Sequence, residues 1–400
     1  MPKKTIRDLR DVPGKRALVR VDFNVPLDKK KGDGTISNDR RIRAALPTLQ
    51  YLTGQGTAVI CMSHLGRPSG DPVKDAPLKM DKVALRLGEL LGKPVRKAAE
   101  EVVGPAVTAA ALALKPGDVL LLENLRFDKR EQKNDEGLAR ELAALADIYV
   151  NDAFGTCHND HDASMVAVPR VMAGKPRVVG FLVEKELHVL DNLLSAPRRP
   201  FLGIMGGAKV STKIGFINAL LAKVDRLLIG GKMTYTFLKA KGVDVGSCDV
   251  EADDLEEARK LLPLVGTQVI LPVDYLIAAV DDITKTQLVE GAVPPGYAGV
   301  DIGPKTAARY DQEIQKAATV VWNGPVGWFE QEAFSRGTRA IAEAMAGSQA
   351  VTVVGGGETA EAIEKFGLDS KMTHVSTGGG AFLAYVENPA LESLKQIDDQ

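Results

Sequence analysis

Four glycine-rich turns in the second half of this sequence, and a set of arginines in the first, have the residue types and spacing that could do chemistry. Met205-Gly206-Gly207-Ala208-Lys209, Ile229-Gly230-Gly231-Lys232, Val354-Gly355-Gly356-Gly357-Glu358-Thr359 and Ser376-Thr377-Gly378-Gly379-Gly380 each follow an apolar run. Glycine there lets the backbone approach a ligand, and a helix opening at the turn offers free N–H groups to an anion. One such turn is equally well explained by the need for a tight strand-to-helix connection, but four in one half of the chain predict a phosphate cradle. Lys209 and Lys213 stand four apart, which predicts two ammonium groups on one face at the opening of a helix. Cations are disfavoured at that end unless they meet an anion.

In the first half the strand ends carry arginines. Arg20-Val21-Asp22-Phe23-Asn24 closes one run, Ser63-His64-Leu65-Gly66-Arg67-Pro68 follows a second, and Leu122-Glu123-Asn124-Leu125-Arg126 follows a third; Arg41 opens a helix. Strand ends of a parallel sheet converge on one crevice, so these guanidinium groups could grip a carboxylate or phosphate bidentately, with Asp22 and Asn24 orienting hydroxyls. His64 reads as a pocket hydrogen-bonder, with proton transfer the alternative.

Several function classes are disfavoured by the same residues. Gly355-Gly356-Gly357-Glu358-Thr359-Ala360 satisfies G-x-G-x-x-A, but the next strand, ending at Ser376-Thr377, supplies no acidic residue for a ribose, which argues against a nicotinamide enzyme. No stretch fits G-x-x-x-x-G-K-[ST], and neither a protein-kinase catalytic loop nor Asp-Phe-Gly is present. Lysine and arginine number 51 against 52 acidic residues, a formal net charge of −1, which disfavours nucleic acid as a partner. No apolar run approaches the roughly 18 residues of a membrane span, and Met1–Arg7 runs straight into charged sequence, which predicts a cytoplasmic protein without membrane contact. Cys61, Cys157 and Cys248 lack any metal-ligand spacing and read as packing residues.

The elements that must position these groups are legible as short apolar runs alternating with helical patterns. The runs are Ala17–Val21, Ala58–Met62, Val119–Leu122 and Ile148–Val150, then Phe201–Met205, Arg226–Ile229, Val269–Leu271, Thr319–Trp322, Val351–Val354 and His374–Ser376. Such alternation predicts an α/β protein with mostly parallel, doubly wound sheets. Four hundred residues, 45% of them apolar, suit two cores. Leu182–Leu194 has helical spacing and is stopped by Pro197-Arg198-Arg199-Pro200, so it is the expected connector.

Taken in order, these segments closely resemble the phosphoglycerate kinase family over nearly the whole chain. The resemblance rests on Arg20–Pro26, Arg41–Thr48, Ser63–Pro68, Asn151-Asp152-Ala153-Phe154-Gly155-Thr156, Gly206–Lys213, Trp322-Asn323-Gly324-Pro325 and His374–Gly380. It implies two Rossmann-like domains: residues 1–180 binding 3-phosphoglycerate or its 1,3-bisphosphate, and residues 199–383 binding Mg-ATP or Mg-ADP. A hinge helix at 181–198 would join them, and a tail at 384–400 would pack back onto the first. The implied reaction is reversible in-line phosphoryl transfer with hinge closure, by a cytoplasmic monomer. Carried over residue by residue, Asp22, Asn24, Arg41, His64, Leu65, Gly66, Arg67, Arg126 and the Asn159 position fall in the phosphoglycerate pocket. Lys209, Lys213, Asn323, Glu330, Gly355, Gly356, Gly357, Glu358 and Thr359 fall at nucleotide positions, with Glu358 as metal ligand. Arg41, Lys213 and the N–H groups at Gly379 and Gly380 would stabilise the transferring phosphoryl group.

Three positions depart from the family pattern. Its His-Arg after Phe-Gly-Thr, with the arginine on the substrate phosphate, is replaced in Cys157-His158-Asn159-Asp160-His161-Asp162; Glu358 stands for an aspartate; and Lys232 stands beside the adenine pocket where glycine is usual. The first predicts weaker phosphate binding and admits two other readings: a non-catalytic nucleotide-binding module, or a kinase for a related acid.

Overall fold

Apolar runs without polar alternation form strands buried on both faces, as parallel sheets covered by helices require. The computed structural model describes residues 2–400, and these form two units, one running to His188 and taking in Ala390–Gln400, the other Val189–Pro389.

The first unit is built on β1 (Arg16–Val21), β2 (Ala58–Met62), β3 (Val95–Lys97), β4 (Val119–Leu121), β5 (Ile148–Asp152) and β6 (Arg177–Val179). They form one parallel sheet in the order β3-β4-β2-β1-β5-β6. Leu18, Val19, Val59, Ile60 and Val150 are fully buried at its centre. The chain works outward from β1 on one side and crosses back for β5, so the order reverses beside β1 and a crevice opens at the carboxyl ends there. Strands β3 and β6 were not legible in the sequence. Val95-Arg96-Lys97 has two charged residues in three positions and only partial burial, so it has no apolar run to read.

The second unit repeats the scheme with β7 (Phe201–Met205), β8 (Arg226–Ile229), β9 (Val269–Ile270), β13 (Thr319–Asn323), β14 (Val351–Gly355) and β15 (His374–Val375). The parallel order is β15-β14-β13-β7-β8-β9, and the reversal falls between β7 and β13. A separate antiparallel sheet, β11-β10-β12, is formed by Tyr275–Ala279 (β10), Thr286–Val289 (β11) and Tyr297–Ile302 (β12). It escaped the sequence reading because β11 is largely exposed and β12 carries Ala298 and Gly299 in place of bulky residues.

Helix Phe181–Ser195 contains the expected connector and passes from the first unit into the second after His188. Its start is tied down in the first unit: Leu182 N–H donates to Asp152 Oδ1 at 2.9 Å and Phe181 N–H to Thr48 Oγ1 at 2.9 Å. Asp152 is fully buried, its Oδ2 has no hydrogen-bond partner, and burial pushes its carboxyl up to about 7. The expected tail 384–400 divides. Residues 384–389 stay with the second unit, largely in helix Gly379–Glu387, whereas residues 390–400 return to the first. There Arg177 pairs with Asp398 at 2.6 Å, and Ser393 Oγ donates to the Cys157 carbonyl at 2.6 Å. Among the described residues no helix is long and apolar enough to cross a membrane.

Candidate active site

In the second unit the reversal point brings three glycine turns together. Gly206 N–H donates to the Asn323 carbonyl at 2.9 Å and Gly207 N–H to the Pro325 carbonyl at 3.1 Å. A Cβ on Gly206 would lie 2.0 Å from the Pro325 oxygen, so only glycine allows the ends of β7 and β13 to close this far. Lys213 Nζ donates to the Gly206 carbonyl at 3.1 Å and to Asn323 Oδ1 at 3.0 Å. Asn323 Nδ2 donates in turn to the Gly355 carbonyl at 3.0 Å, and Gly324 N–H to Thr359 Oγ1 at 2.7 Å. The turn after β14 is thereby bound to the other two. Gly356, at φ +96°, and Gly357 open helix Gly357–Lys365, with Glu358 exposed in its first turn. Gly379 opens helix Gly379–Glu387 beside them, so close that an added Cβ would sit 3.1 Å from the Gly357 nitrogen; Gly380 is exposed next to it. Free N–H groups of two helices thus face the same place as the Lys213 ammonium. Burial lowers the pKa of that ammonium, against the opposing pull of the nearby Glu358 carboxylate.

Lys209 is placed differently from the sequence expectation. Ser211–Lys213 is a 3-10 turn and the α-helix begins only at Ile214, so Lys209 precedes the helix and shares no face with Lys213. Its Nζ pairs with Glu251 at 2.5 Å, which raises its pKa. Spacing alone could not have shown that partner. A cavity of about 520 Å³ adjoins the glycine turns, lined among others by Gly207, Ala208, Lys232, Tyr235, Glu330 and Glu358. That volume suits a nucleotide-sized ligand.

In the first unit the strand-end residues also converge. Arg41 Nη1 donates to both carboxylate oxygens of Asp22, at 2.9 and 2.7 Å. Asn24 N–H donates to Asp22 Oδ1 at 3.1 Å, Gly66 N–H to Asn24 Oδ1 at 2.8 Å, and Arg126 Nη1 to the Gly66 carbonyl at 2.9 Å. Leu65 is held on both sides by the Asn124 amide, at 3.0 and 2.7 Å. Burial would raise the Asp22 carboxyl, but Arg41, with Arg20, outweighs it and keeps the group below its usual value. His64 is driven down to about 3 by burial and by Arg20, so at neutral pH its ring carries no charge. Arg20 Nη2 lies 3.2 Å from His64 Nδ1; a guanidinium only donates, so Nδ1 accepts and the Nε2–H is the free donor. This favours His64 as a hydrogen-bonder. Two donors lack acceptors: Arg126 Nε is buried without a partner, and exposed Arg67 makes no ion pair among the described residues.

Asn159 lies in the neighbouring loop, its Nδ2 donating to Asp162 Oδ2 at 3.0 Å. Asp162 is buried and acts electrostatically on Arg126. The position expected to contribute to phosphate binding therefore holds a neutral amide tied to a carboxylate. Sequence reasoning also missed a support beneath this pocket. Buried Arg20 donates from Nε to Ser164 Oγ at 2.9 Å, and Ser164 Oγ to Glu131 Oε1 at 2.5 Å; burial pushes Glu131 up to about 6. Ser164 and Glu131 lie far from Arg20 in the chain and carry no motif, so nothing in the sequence links them.

The phosphoglycerate kinase family model matches residues 6–388. The chain belongs to the phosphoglycerate kinase family. Phosphoglycerate kinases from Roseiflexus castenholzii and Chloroflexus aurantiacus are 50% identical over 406 residues and 51% identical over 409, each covering all of both chains. Among solved structures, the phosphoglycerate kinase of Coxiella burnetii has a TM-score of 0.85 at 39% identity, covering 99% of this chain and 98% of its own. That of Pyrococcus horikoshii OT3 has 0.85 at 32%, covering 98% of each. The chain is thus a phosphotransferase with a carboxyl acceptor, EC 2.7.2.3. It transfers a phosphoryl group reversibly between 1,3-bisphosphoglycerate and ADP, with Mg²⁺, to give 3-phosphoglycerate and ATP. The donor set fits Mg²⁺ held largely by phosphate: Glu358 offers one exposed carboxylate at the glycine turns, and the described residues hold no cluster of three metal-binding side chains.

Proposed function

We propose that the first unit binds the phosphoglycerate and the second the nucleotide of this reaction. The observation carrying the first half is the buried, unpartnered Arg126 Nε beside unpaired Arg67, two donors in a pocket where Arg41 is already oriented by Asp22. A phosphate or carboxylate supplies the acceptors they lack. Asn24 and the free Nε2–H of His64 orient the remaining oxygens of the acid, with Leu65 and Gly66 forming the wall.

In the second unit, Lys213, Gly355, Gly356, Gly357 and Thr359 form the phosphate cradle, Asn323 orients Lys213, and Glu330 and the wider cavity take the rest of the nucleotide. Lys209, paired with Glu251, contributes charge at the rim. Glu358 would hold Mg²⁺, which when bound offsets the charge of the polyphosphate. The acceptor carboxylate is already an ionised nucleophile, so no general base is required and the protein's contribution is position and charge. Lys213, Arg41 and the N–H groups at Gly379 and Gly380 stabilise the phosphoryl group in flight. Closure about helix Phe181–Ser195 brings the substrates together, and the protein works as a cytoplasmic monomer.

The test is formation of ADP from ATP and 3-phosphoglycerate with Mg²⁺, alongside calorimetric binding of each substrate. Arg126→Ala should weaken binding of 3-phosphoglycerate and leave that of ATP unchanged; the opposite pattern would reject the assignment of the two substrates to the two units.

A further inference from the structure

We propose that Glu131 is a positioning residue of the first pocket: acting through Ser164 and Arg20, its carboxylate fixes the tautomer in which His64 meets the acid. The proposal rests on reading His64 as one of the groups that orient phosphoglycerate. Arg20 is fully buried, yet among the described residues it forms no ion pair. Its Nε donates to Ser164 Oγ at 2.9 Å, its Nη1 to the Val21 carbonyl at 2.5 Å, and its Nη2 faces His64 Nδ1 at 3.2 Å. A buried cation needs a compensating charge. Here the charge reaches it across a hydroxyl: Ser164 Oγ accepts from Arg20 and donates its own hydrogen to Glu131 Oε1 at 2.5 Å.

Both ends of this bridge are anchored. Ser164 N–H donates to Glu131 Oε2 at 3.0 Å, and the Ser164 carbonyl accepts from the buried Tyr149 hydroxyl at 2.9 Å. Ala163 N–H donates to the Glu131 carbonyl at 2.7 Å. At the other end Ser63 Oγ donates to the His64 carbonyl at 3.0 Å. Burial raises the Glu131 carboxyl to about 6, and Arg20 is the foremost charge drawing it back. A neutral imidazole takes the tautomer that its hydrogen-bond partner dictates. With the guanidinium held at Nδ1, the ring proton sits on Nε2 and is offered to an oxygen of the acid. With Arg20 displaced, some rings carry the proton on Nδ1 and present a lone pair to an anion. Asp22 is the competing carboxylate. Burial and Arg41 act on it most strongly, but Arg20 acts on it too, so a guanidinium released from Glu131 turns toward the group that orients Arg41.

Glu131→Gln keeps the shape and removes the charge, whereas Ser164→Ala keeps the charge and removes the hydroxyl between it and Arg20. Both should raise KM for 3-phosphoglycerate by about tenfold, with KM for ATP within about twofold of wild type. A loss of stability alone would not move the tautomer of His64. In NMR spectra of histidine-labelled protein, with His64→Gln to assign its signals, the wild type should show a single ring form protonated at Nε2. Both variants should show a mixture with the form protonated at Nδ1. A His64 that stays wholly in the Nε2–H form in either folded variant overturns the proposal, as does a KM for 3-phosphoglycerate that moves by less than about twofold. Arg126→Ala separates the proposal from the reading of the pocket. Unchanged binding of 3-phosphoglycerate in Arg126→Ala would mean that the acid sits elsewhere, and both readings fail. Weakened binding there, with an unmoved His64 tautomer in Glu131→Gln, would reject the role of Glu131 alone.

Discussion

Lys213 Nζ donates to Asn323 Oδ1 at 3.0 Å across 110 positions of sequence. The contact aims an ammonium group, whose pKa burial already lowers, at the meeting point of three glycine turns. In the role proposed for Lys213, a charge held this way would meet the developing phosphate charge without reorganising first. Lys213→Ala should therefore reduce kcat by about 10²–10³ while nucleotide affinity, measured by calorimetry, falls by no more than about tenfold. Equal losses in both would make Lys213 an ordinary binding residue.

Asn159 offers a test on the other substrate. Its amide is tied to Asp162, and Asp162 is felt by Arg126. With the substrate phosphate in the proposed pocket, Asn159→Arg would offer it a charge-assisted donor and should lower KM for 3-phosphoglycerate by about tenfold, with KM for ATP unmoved. An unchanged KM for 3-phosphoglycerate would show that the loop does not reach the phosphate.

Asp152 should leave a signature in the pH dependence of stability. Its carboxyl is raised from 3.8 to about 7 by burial, so the folded chain binds that proton more tightly than the unfolded one. The stability it contributes is complete below the unfolded value and is lost as pH rises through the folded one. Asp152→Asn removes the titration while keeping an acceptor for Leu182. Its Tm, relative to wild type, should rise by several degrees between about pH 5 and about pH 8. Glu131 and Asp301, also raised by burial, to about 6 and about 7, are common to both proteins and cancel. A difference in Tm independent of pH would exclude this account.

Gly206 sets how closely β7 and β13 approach at their carboxyl ends. Gly206→Ala would drive a methyl group to 2.0 Å from the Pro325 carbonyl, which is backbone and cannot swing aside. Destabilisation of at least about 1–3 kcal/mol in urea melts is expected, together with a raised KM for ATP. A variant matching wild type in both would mean that the turn is free to open.

The glycine turns and the strand-end arginines were legible because each residue type has a local reason to be there. Glycine is required where Gly206 meets Pro325, and Arg41 lies one short segment from the Asp22 that orients it. The shared face expected of Lys209 and Lys213 was misread because the chain runs through a 3-10 turn at Ser211–Lys213 and the α-helix begins only at Ile214, which no spacing rule shows. The Arg20–Ser164–Glu131 chain and the orphaned Asp152 oxygen were invisible for another reason: burial and long-range hydrogen bonds define them. The antiparallel sheet was lost because Thr286–Val289 sits in solvent, so its residues carry no pattern imposed by a core.

Residues 390–400 belong with strands that precede the entire second unit in the chain. During synthesis the order of completion is therefore inverted. Val189–Pro389 can finish its own core while the first unit still lacks Asp398 for Arg177 and Ser393 for the Cys157 carbonyl. The half that begins to emerge first from the ribosome is the last to be closed, because the segment that completes it is the last to leave.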